Sequence, residues 1–497
     1  MILRIAPHLV LLWTLLVGPA ATSAPNVVFI LADDLGWGEV GAYGQKKILT
    51  PNLDRLASEG LRFTRHYSGA PVCAPARCTL LTGQNLSRAQ IRGNRDSGNG
   101  RVFPGQWPLT AEVVTLGETM QAAGYRTGAF GKWGLGPSNT VGNPIDQGFD
   151  VYYGYNCQRN AHSFYPPFLD SQKKEVRINR RPIPGHERKP EGEIIADDYR
   201  DENYAPDLIL TEATKFLDHN AKAPFFLYLP FVEPHVAMQP PQEWVDRYPK
   251  EWDVEKGAYR GQCGYLPHPR PRAGYAAMIS DLDEHVGTIL ALLAKHGIAD
   301  DTLVVFTSDN GTTHRGADPK FGIGGCDADF FESTAGLRSF KGSVYEGGLR
   351  VPCIVRWPGK VAAGSVTDFP SYFPDWYPTL CGIVGAETSA GQLDGHDLRP
   401  TLLGEEQPLR EGSMVWEFSG YYGQLAVMDG DWKAVRQRVN TPKPGPWELY
   451  HLGDDPAETK DLAAEQPERV QALEAYWLEH RTEEEDFPLR LLGEGKK

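Results

Sequence analysis

The sequence has 497 residues, of which 41% are hydrophobic and 11% are aromatic. This apolar content excludes an intrinsically disordered chain, and the length predicts one large domain with a smaller appendage. Lys and Arg number 50 against 64 Asp and Glu, so the formal net charge is -14. A chain this acidic is not expected to bind nucleic acid generally, and any anionic substrate needs a local basic pocket.

The N-terminal segment has the composition of a secretory signal peptide. A positive start at Met1–Arg4 precedes an apolar run, Leu9–Val17, which only Thr14 interrupts, and small residues follow over Gly18–Ala24. The run is too short to cross a bilayer, so we predict a signal peptide over residues 1–24 and no stable membrane insertion. A buried N-terminal strand is the alternative. The signal peptide predicts a periplasmic or secreted protein.

Strands alternate with helices over most of the chain. Asn26–Ala32 is a continuous apolar run rich in β-branched residues, which suits a strand buried on both faces. Thr50-Pro51 predicts a helix start, and Thr115 with Glu118 predicts a capping box before another helix. The same patterns predict further strands over 125–130, 225–231, 302–307 and 353–357, and helices over 208–217 and 275–293. This order favours an α/β fold with a largely parallel sheet.

Other segments do not follow this alternation. Residues 171–201 are polar and charged, which predicts a surface insertion, and residues 240–272 are rich in Pro and charge, which predicts a long loop. Near the C-terminus, short strand-like pieces precede a helix over residues 467–480. We therefore predict a catalytic domain over residues 25–400 and a small α+β subdomain over residues 401–497.

Polar side chains follow three of the predicted strands. The three segments are Asp33-Asp34, Glu233-Pro234-His235 and Ser308-Asp309-Asn310-Gly311. Each alone is as consistent with a turn as with a site, but ligands of open α/β sheets gather at the carboxyl ends of strands. Carboxylate and amide oxygens favour calcium or magnesium, whereas zinc prefers His and Cys. Asn310 discriminates between these metals, because a His at that position would favour zinc.

The most specific motif lies in Pro71–Gly83, which reads PVCAPARCTLLTG. Cys73 and Arg77, followed by Thr82-Gly83, resemble the sulfatase signature, Cys-x-Pro-x-Arg and then Thr-Gly. The resemblance implies that Cys73 is oxidised to formylglycine, whose hydrated aldehyde supplies a nucleophilic hydroxyl. A buried Cys before a helix is the alternative. Seven Cys leave at least one unpaired, and we expect Cys73 to be unpaired.

Further segments extend this resemblance over nearly the whole mature chain. They are NVVFILADDLG, TPNLDRLASEG, GKWGLG, SDNG, FKGSVYEGGLRVP and WELYHLGDDPAE, and they occur in sulfatase order. The chain resembles the type I, formylglycine-dependent sulfatases. That family implies an alkaline-phosphatase-like α/β domain, with a mostly parallel sheet flanked by helices, and a smaller α+β C-terminal subdomain. It also implies one calcium ion and a formylglycine-generating maturation enzyme as a partner.

The resemblance assigns roles to individual residues. The calcium ligands are matched by Asp33, Asp34, Asp309 and Asn310, with the modified Cys73 also touching the metal. Arg77 matches the residue that holds the formylglycine, and Lys132 matches the sulfate-binding Lys. Lys341 matches the Lys near the leaving-group oxygen, and His235 matches the His that assists the leaving group. Asp309 is also the expected base for the attacking hydroxyl.

The sequence departs from the family at Gly134. Many sulfatases have GKWHLG where this chain has GKWGLG, so the His thought to help eliminate sulfate from the covalent intermediate is missing. His162 is a candidate replacement, because His is the side chain that titrates nearest neutrality. The alternative is that His162 contacts substrate or has a structural role.

The expected activity is hydrolysis of sulfate monoesters on an extracellular sulfated carbohydrate. Two alternatives stay open: a phosphoester or phosphonate hydrolase on the same fold, and a catalytically dead glycan-binding relative. Aromatic and Arg residues within Tyr152–Tyr165 and Gly420–Tyr422 are candidates for sugar subsites, and a core or surface position is an equal alternative for them.

Overall fold

A computed structural model of the protein describes residues 24–95, 106–181, 183, 190–313, 315, 320–388 and 393–493. The predicted signal peptide, residues 1–24, lies outside the described residues apart from Ala24. Across the described residues, the structure contains no helix that is both long enough and apolar enough to cross a membrane.

A ten-stranded sheet forms the centre of the molecule, in the order β11-β2-β10-β9-β1-β8-β4-β5-β6-β7. Its strands are β1 Asn26–Ala32, β2 Leu61–Phe63, β4 Arg126–Lys132, β5 Val151–Tyr155, β6 Phe168–Ser171, β7 Lys174–Arg177, β8 Phe225–Pro230, β9 Thr302–Ser308, β10 Cys353–Arg356 and β11 Ser365–Thr367. Between β2 and β4 in the chain, β3 His66–Tyr67 pairs with β12 Ser371–Tyr372 in a separate two-stranded sheet.

The centre of the main sheet is parallel and buried on both faces. β1 pairs in parallel with β8 and β9, and β4 pairs in parallel with β8 and β5. All seven residues of β1 are buried, because Val27 and Phe29 face one hydrophobic core and Val28 and Ile30 face another. Antiparallel strands flank this centre, since β10 runs against both β9 and β2, and β6 runs against both β5 and β7. The continuous apolar run therefore forms the predicted strand, and the strand is buried on both faces as expected.

Helices cover both faces of the sheet. They are α1 Pro51–Ser58, α2 Cys73–Thr82, α3 Leu116–Ala122, α4 Ala205–Asn220, α5 Gln242–Val245, α6 Glu251–Lys256, α7 Pro271–Lys295, α8 Ala328–Phe331, α9 Glu346–Leu349, α10 Trp376–Val384, α11 Arg399–Leu403 and α12 Pro467–His480. The predicted capping box is present at α3, where Thr115 Oγ1 accepts from the Glu118 amide and the Glu118 side chain accepts from the Thr115 amide.

A second sheet, four-stranded and antiparallel, lies near the C-terminus and packs against α12. Its strands are β13 Met414–Phe418, β14 Gln424–Asp429, β15 Trp432–Gln437 and β16 Trp447–His451. A buried ion pair joins it to the main domain, because Lys433 Nζ on β15 lies 2.8 Å from Glu346 Oε1 on α9. The predicted α/β fold with a smaller α+β C-terminal part is confirmed.

Two predicted irregular segments contain regular structure. Residues 171–201, predicted as a surface insertion, include β7 at the edge of the main sheet. All four residues of β7 are exposed, so no hydrophobic alternation marked the strand. Residues 240–272, predicted as a long loop, include α5 and α6, which are too short for helical periodicity to show in the sequence.

Candidate active site

Four strand ends bring the candidate residues to one edge of the main sheet. Asp33 directly follows β1, Asp309 directly follows β9, and Lys132 is the last residue of β4. His235 lies shortly after the end of β8. These strands form one parallel set, so their carboxyl ends lie at the same edge. The sheet therefore gathers side chains that are far apart in the sequence.

Cys73 is the first residue of α2 and is 1% exposed. Its Sγ lies 3.4 Å from Asp33 Oδ1 and 3.5 Å from Lys341 Nζ. Burial, together with the negative charges of Asp309 and Asp33, raises the pKa of this thiol well above its ordinary value. Since the thiolate is the nucleophilic form, the unmodified side chain is poorly suited to attack an ester. All seven Cys residues lie in the described part of the chain, and none forms a disulfide.

Arg77 lies one turn after Cys73 on α2 and is fully buried. Its Nη2 lies 2.7 Å from Asp309 Oδ2 and 3.5 Å from Asp33 Oδ2. Its Nη1 donates to the backbone carbonyl of Lys132. The guanidinium therefore connects α2 to the ends of β1, β4 and β9.

Two lysines each pair with a different carboxylate of the Asp33-Asp34 segment. Lys132 Nζ lies 2.5 Å from Asp33 Oδ2. Lys341 Nζ lies 2.5 Å from Asp34 Oδ1 and 2.7 Å from Asp34 Oδ2. Together with Arg77, they place three cations around Cys73 in a region that excludes most solvent. An anionic group bound there would meet this charge at low dielectric, where electrostatic stabilisation is strong.

The three carboxyls of the site have different affinities for protons. Burial by itself would raise the pKa of Asp33, but Lys132 and the other nearby cations bring that pKa below its ordinary value. The pKa of Asp34 is likewise lowered, because Lys341 outweighs the effect of burial. Burial and the charge of Asp33 raise the pKa of Asp309 to about 6. Asp33 and Asp34 are therefore ionised at neutral pH.

A group of side chains at this edge has the geometry to hold a metal ion. Ligand atoms of Asp33, Asp34, Cys73 and His235 all lie within 4.8 Å of one another. Asp309 is not one of these four residues. Its Oδ2 accepts from Arg77, and its Oδ1, which accepts from the Asp34 amide at 3.1 Å, retains a lone pair that a metal ion can use. Asp34 has a φ of +67°, a left-handed conformation that Asp tolerates better than most residues.

Asn310 adds an amide side chain beside these carboxylates. Its Nδ2 donates to Asp34 Oδ1 at 2.8 Å. Its Oδ1 is buried and has no hydrogen-bond partner among the described residues. A buried carbonyl oxygen without a partner is unfavourable unless a ligand satisfies it, so this atom fits a site for a hard cation. Glu233 does not join the group, because its Oε1 lies 2.8 Å from His285 Nδ1.

His235 and His162 form a stacked pair beside the metal-binding group. Their ring centroids are 5.1 Å apart, with an interplanar angle of 13°. His235 Nδ1 bonds to the backbone carbonyl of Val236, and its Nε2 lies 3.6 Å from Asp34 Oδ2. Burial lowers the pKa of His235 to about 4, so its ring is neutral at neutral pH. The structure thus places His162 beside a residue of the predicted site rather than away from it.

Five of the candidate residues line a cavity of about 200 Å³. Among the predicted residues, its wall contains Asp34, Cys73, His162, His235 and Lys341. The wall also contains residues that the sequence did not single out, namely Asn94, Gln158, Val236, Tyr265, Thr313 and Ile323. Tyr421, from the predicted aromatic segment Gly420–Tyr422, completes it.

Only one of these additional wall residues, Thr313, was recognisable from its position in the sequence. Thr313 follows Asn310 closely, and its Oγ1 donates to Asp34 Oδ2 at 3.0 Å, so its proximity to the strand end was informative. Asn94 and Tyr265 come from distant loops that carry no local motif.

Gln158 fills the space beside Gly134. Gly134 has a φ of +83°, and a Cβ at this position would lie 2.2 Å from Gln158 Nε2. The space into which a side chain at position 134 would project is therefore already occupied. Gln158 is 8% exposed, and neither of its amide atoms has a hydrogen-bond partner among the described residues.

Comparisons with known proteins agree with this geometry. The chain matches the Sulfatase family over residues 25–386 and the family described as N-sulphoglucosamine sulphohydrolase, C-terminal, over residues 339–483. It is 31% identical to Arylsulfatase A from Homo sapiens, over 93% of this chain and 89% of the relative. It is 29% identical to N-acetylgalactosamine-6-sulfatase from Rattus norvegicus, over 92% of this chain and 85% of the relative.

A solved structure extends the similarity to the whole architecture. The crystal structure of Ps i-CgsB in complex with k-i-k-neocarrahexaose is similar to this chain with a TM-score of 0.71 and 27% identity, covering 91% of each chain. The sheet order, the buried cations around Cys73 and these matches lead to one conclusion: the chain belongs to the sulfatase family and is a sulfuric ester hydrolase.

Proposed function

We propose that this protein hydrolyses sulfate monoesters of an extracellular carbohydrate, with formylglycine at position 73 and one calcium ion. The observation that carries the proposal is the convergence of Arg77, Lys132 and Lys341 on buried carboxylates around Cys73. A carbohydrate substrate is supported by relatives, since one is named for a sulfated amino sugar and another is bound to neocarrahexaose.

The side chains present fit both groups that the family uses. Asp33, Asp34, Asp309 and Asn310 would hold the calcium ion, which supplies positive charge beside the sulfate. Cys73 Sγ contacts a carboxylate oxygen of Asp33 and the ammonium of Lys341, so a hydroxyl in its place would find an acceptor and a donor. Formylglycine supplies that hydroxyl as a hydrated aldehyde.

The three cations have separate tasks in this proposal. Lys132 and Arg77 neutralise negative charge that gathers on the sulfate oxygens, and both are held by Asp33 in the resting site. Lys341, with its Nζ 3.5 Å from Cys73 Sγ, stabilises the leaving oxygen. Their positions are set by ion pairs before substrate arrives, so little reorganisation is needed.

Proton transfer is assigned to acidic and imidazole groups. Asp309 takes the proton of the attacking hydroxyl, while Arg77 links it to Asp33, the carboxylate that contacts Cys73 Sγ. His235 assists the leaving group from the wall of the cavity. His162, stacked on His235, assists elimination of sulfate in place of the His that the family commonly has at position 134.

Replacement of Cys73 tests the proposal directly. Cys73→Ala should abolish turnover of an aryl sulfate and leave the unfolding temperature close to that of the wild type. The matched control is Cys78→Ala, which truncates a buried Cys on the same helix that does not line the cavity. The control should keep its activity. In active protein, the peptide containing residue 73 should be lighter by about 18 Da than the unmodified peptide.

The same measurements separate the alternative functions. A phosphoester or phosphonate hydrolase would turn over an aryl phosphate or phosphonate with a higher kcat/KM than the matched aryl sulfate. A catalytically dead glycan-binding relative would retain an unmodified Cys73 and turn over none of them. The sulfatase relatives favour the sulfate ester, and the three buried cations suit an anionic ester of either kind.

The setting of the enzyme is part of the proposal. We assign residues 1–24 to a signal peptide, residues 25–400 to the catalytic domain and residues 401–497 to the C-terminal subdomain. The protein would be exported to the periplasm or secreted, after a formylglycine-generating enzyme has modified Cys73. Residue-73 modification in material isolated from outside the cytoplasm tests this order of events.

A further inference from the structure

A second cavity adjoins the cavity that contains Cys73. Its volume is about 440 Å³, within the range of small-molecule sites. Asn94, Gln158 and His162 line both cavities, so the two share a wall. A molecule whose reacting group lies beside Cys73 would extend past these residues into the second cavity.

The second cavity is cationic in a chain that is acidic overall. Among the described residues that line it, Arg95 and Arg159 are charged and none is a carboxylate, although the net charge of the chain is -14. Arg159 is exposed and has no ion-pair partner within the described part of the chain. A cationic pocket of this kind attracts anions that the rest of the surface repels.

Arg95 is held in place before any ligand binds. Its Nη1 lies 3.2 Å from Asp486 Oδ1, and its guanidinium carbon lies 4.0 Å from the ring centroid of Trp107. The stacked ring and the carboxylate restrict the side chain, so less conformational freedom is lost when it contacts a ligand. Arg159 supplies the uncompensated charge, and Arg95 supplies a fixed guanidinium face.

Gln158 independently indicates a ligand at the shared wall. The residue is 8% exposed, and its Nε2 and Oε1 have no hydrogen-bond partner among the described residues. Buried amides normally find partners, because an unsatisfied donor or acceptor is unfavourable. A ligand oxygen that passes between the cavities would accept from Nε2 and remove this penalty.

We infer that the second cavity binds a further anionic group of the substrate, a carboxylate or a second sulfate carried on the sugar next to the scissile ester. This inference rests on the proposed sulfatase function and narrows its substrate class to glycans with at least two anionic groups. Arg159 is the residue that binds this group, since its guanidinium is the cavity's uncompensated charge. Planar guanidinium groups recognise both carboxylates and sulfates through paired hydrogen bonds.

Three synthetic disaccharides test the inference. Each carries one sulfate ester on the same hexosamine, which is linked to a hexuronic acid, to a sulfated hexose or to an unmodified hexose. For the wild type, kcat/KM for one or both of the doubly anionic probes should exceed that for the singly anionic probe by about tenfold. The arm that shows the preference identifies the group as carboxylate or sulfate.

Variants at Arg159 link the preference to the cavity. Arg159→Gln should reduce the preference for the doubly anionic probe towards unity, while kcat/KM for the singly anionic probe stays unchanged. Arg159→Lys should keep part of the preference, because it retains the charge but not the paired donors. Raising the salt concentration should weaken the wild-type preference. Arg55→Gln is the control, since Arg55 is an exposed arginine on α1 that lines neither cavity.

Two results would overturn the inference. Equal kcat/KM for all three probes in the wild type would show that no second anion is bound. An equal loss on all three probes in Arg159→Gln would show that Arg159 acts on the reaction itself. A simple aryl sulfate is measured in parallel, because failure to turn it over would overturn the proposed function and not only the second subsite.

Discussion

Gln158 occupies the space that a side chain at position 134 would need. An ideal Cβ on Gly134 would lie 2.2 Å from Gln158 Nε2, and the two residues are 24 positions apart in the chain. The space next to position 134, where many sulfatases have His, is therefore occupied by the side chain of Gln158 from another loop. A glutamine forms hydrogen bonds but does not exchange protons near neutral pH, so the two side chains are not chemically equivalent.

The Gly134–Gln158 contact can be measured with a double-mutant cycle. Gly134→Ala introduces strain from its left-handed backbone in any background, but it displaces Gln158 only when that side chain is present. We expect Gly134→Ala to raise KM for an aryl sulfate in the wild type and to raise it much less in the Gln158→Ala background. The loss of unfolding free energy should also be smaller in that background, by about 0.5 kcal/mol or more. Additive effects would show that the two residues do not interact.

His162→Ala tests whether His162 assists release of sulfate. The imidazole stacks on His235 at 5.1 Å and lines the cavity that holds Cys73. If it promotes elimination, its loss should slow release more than transfer, so a burst of leaving group should precede slow turnover. The sulfated enzyme should accumulate and be visible by mass spectrometry.

The control for this experiment is His296→Ala, at a partly exposed His that pairs with Asp218 and does not line the cavity. It should show wild-type kinetics without a burst. A raised KM for His162→Ala with no burst would instead make His162 a substrate contact and leave elimination to another group.

Metal removal should inactivate the enzyme and lower its thermal stability. Asp33 and Asp34 have lowered pKa values and remain ionised, so loss of a bound cation leaves their repulsion less compensated. Treatment with a chelator should abolish activity and lower the unfolding temperature, and calcium should restore both. Asn310→Ala should increase the calcium concentration needed for half-maximal activity by about tenfold. Stoichiometric zinc in the isolated protein, without calcium or magnesium, would contradict the assignment.

Glu39 should make stability depend on pH. Burial raises the pKa of Glu39 from its ordinary value of 4.5 to about 7, although Tyr275 and Thr312 donate to its carboxylate. The folded state therefore binds this proton more tightly than the unfolded state. The wild type should lose stability from this group as pH rises from 4.5 to about 7.

Glu39→Gln removes the titrating group and keeps its size. The free energy of unfolding of this variant relative to the wild type should increase between pH 5 and pH 8 by about 2–3 kcal/mol. Denaturant unfolding at the two pH values measures the difference. The prediction fails if the difference between the two proteins is the same at both values.

The central strands and the motif residues were predictable from the amino-acid sequence. Apolar side chains at successive positions of Asn26–Ala32 point to both faces of an extended strand, so the segment suits a strand that is buried on both faces of the sheet. Asp33 comes directly after that strand in the sequence, so its position at the strand end was predictable. The motif around Cys73 is specific enough to indicate the family without any structural contact. These features are local, so neighbouring residues contained enough information to predict them.

Which of these residues contact one another depends on the tertiary fold. Lys341 is 307 positions from Asp34, and nothing local to either residue predicts a distance of 2.5 Å between Nζ and Oδ1. The same holds for Gln158, whose position beside Gly134 follows from the path of a loop after β5. The exposed strand β7 was also not predictable from the sequence, because an edge strand with polar side chains forms through backbone pairing to a neighbouring strand. Contacts of this kind depend on the whole sheet being assembled, and a linear pattern of residues does not encode them locally.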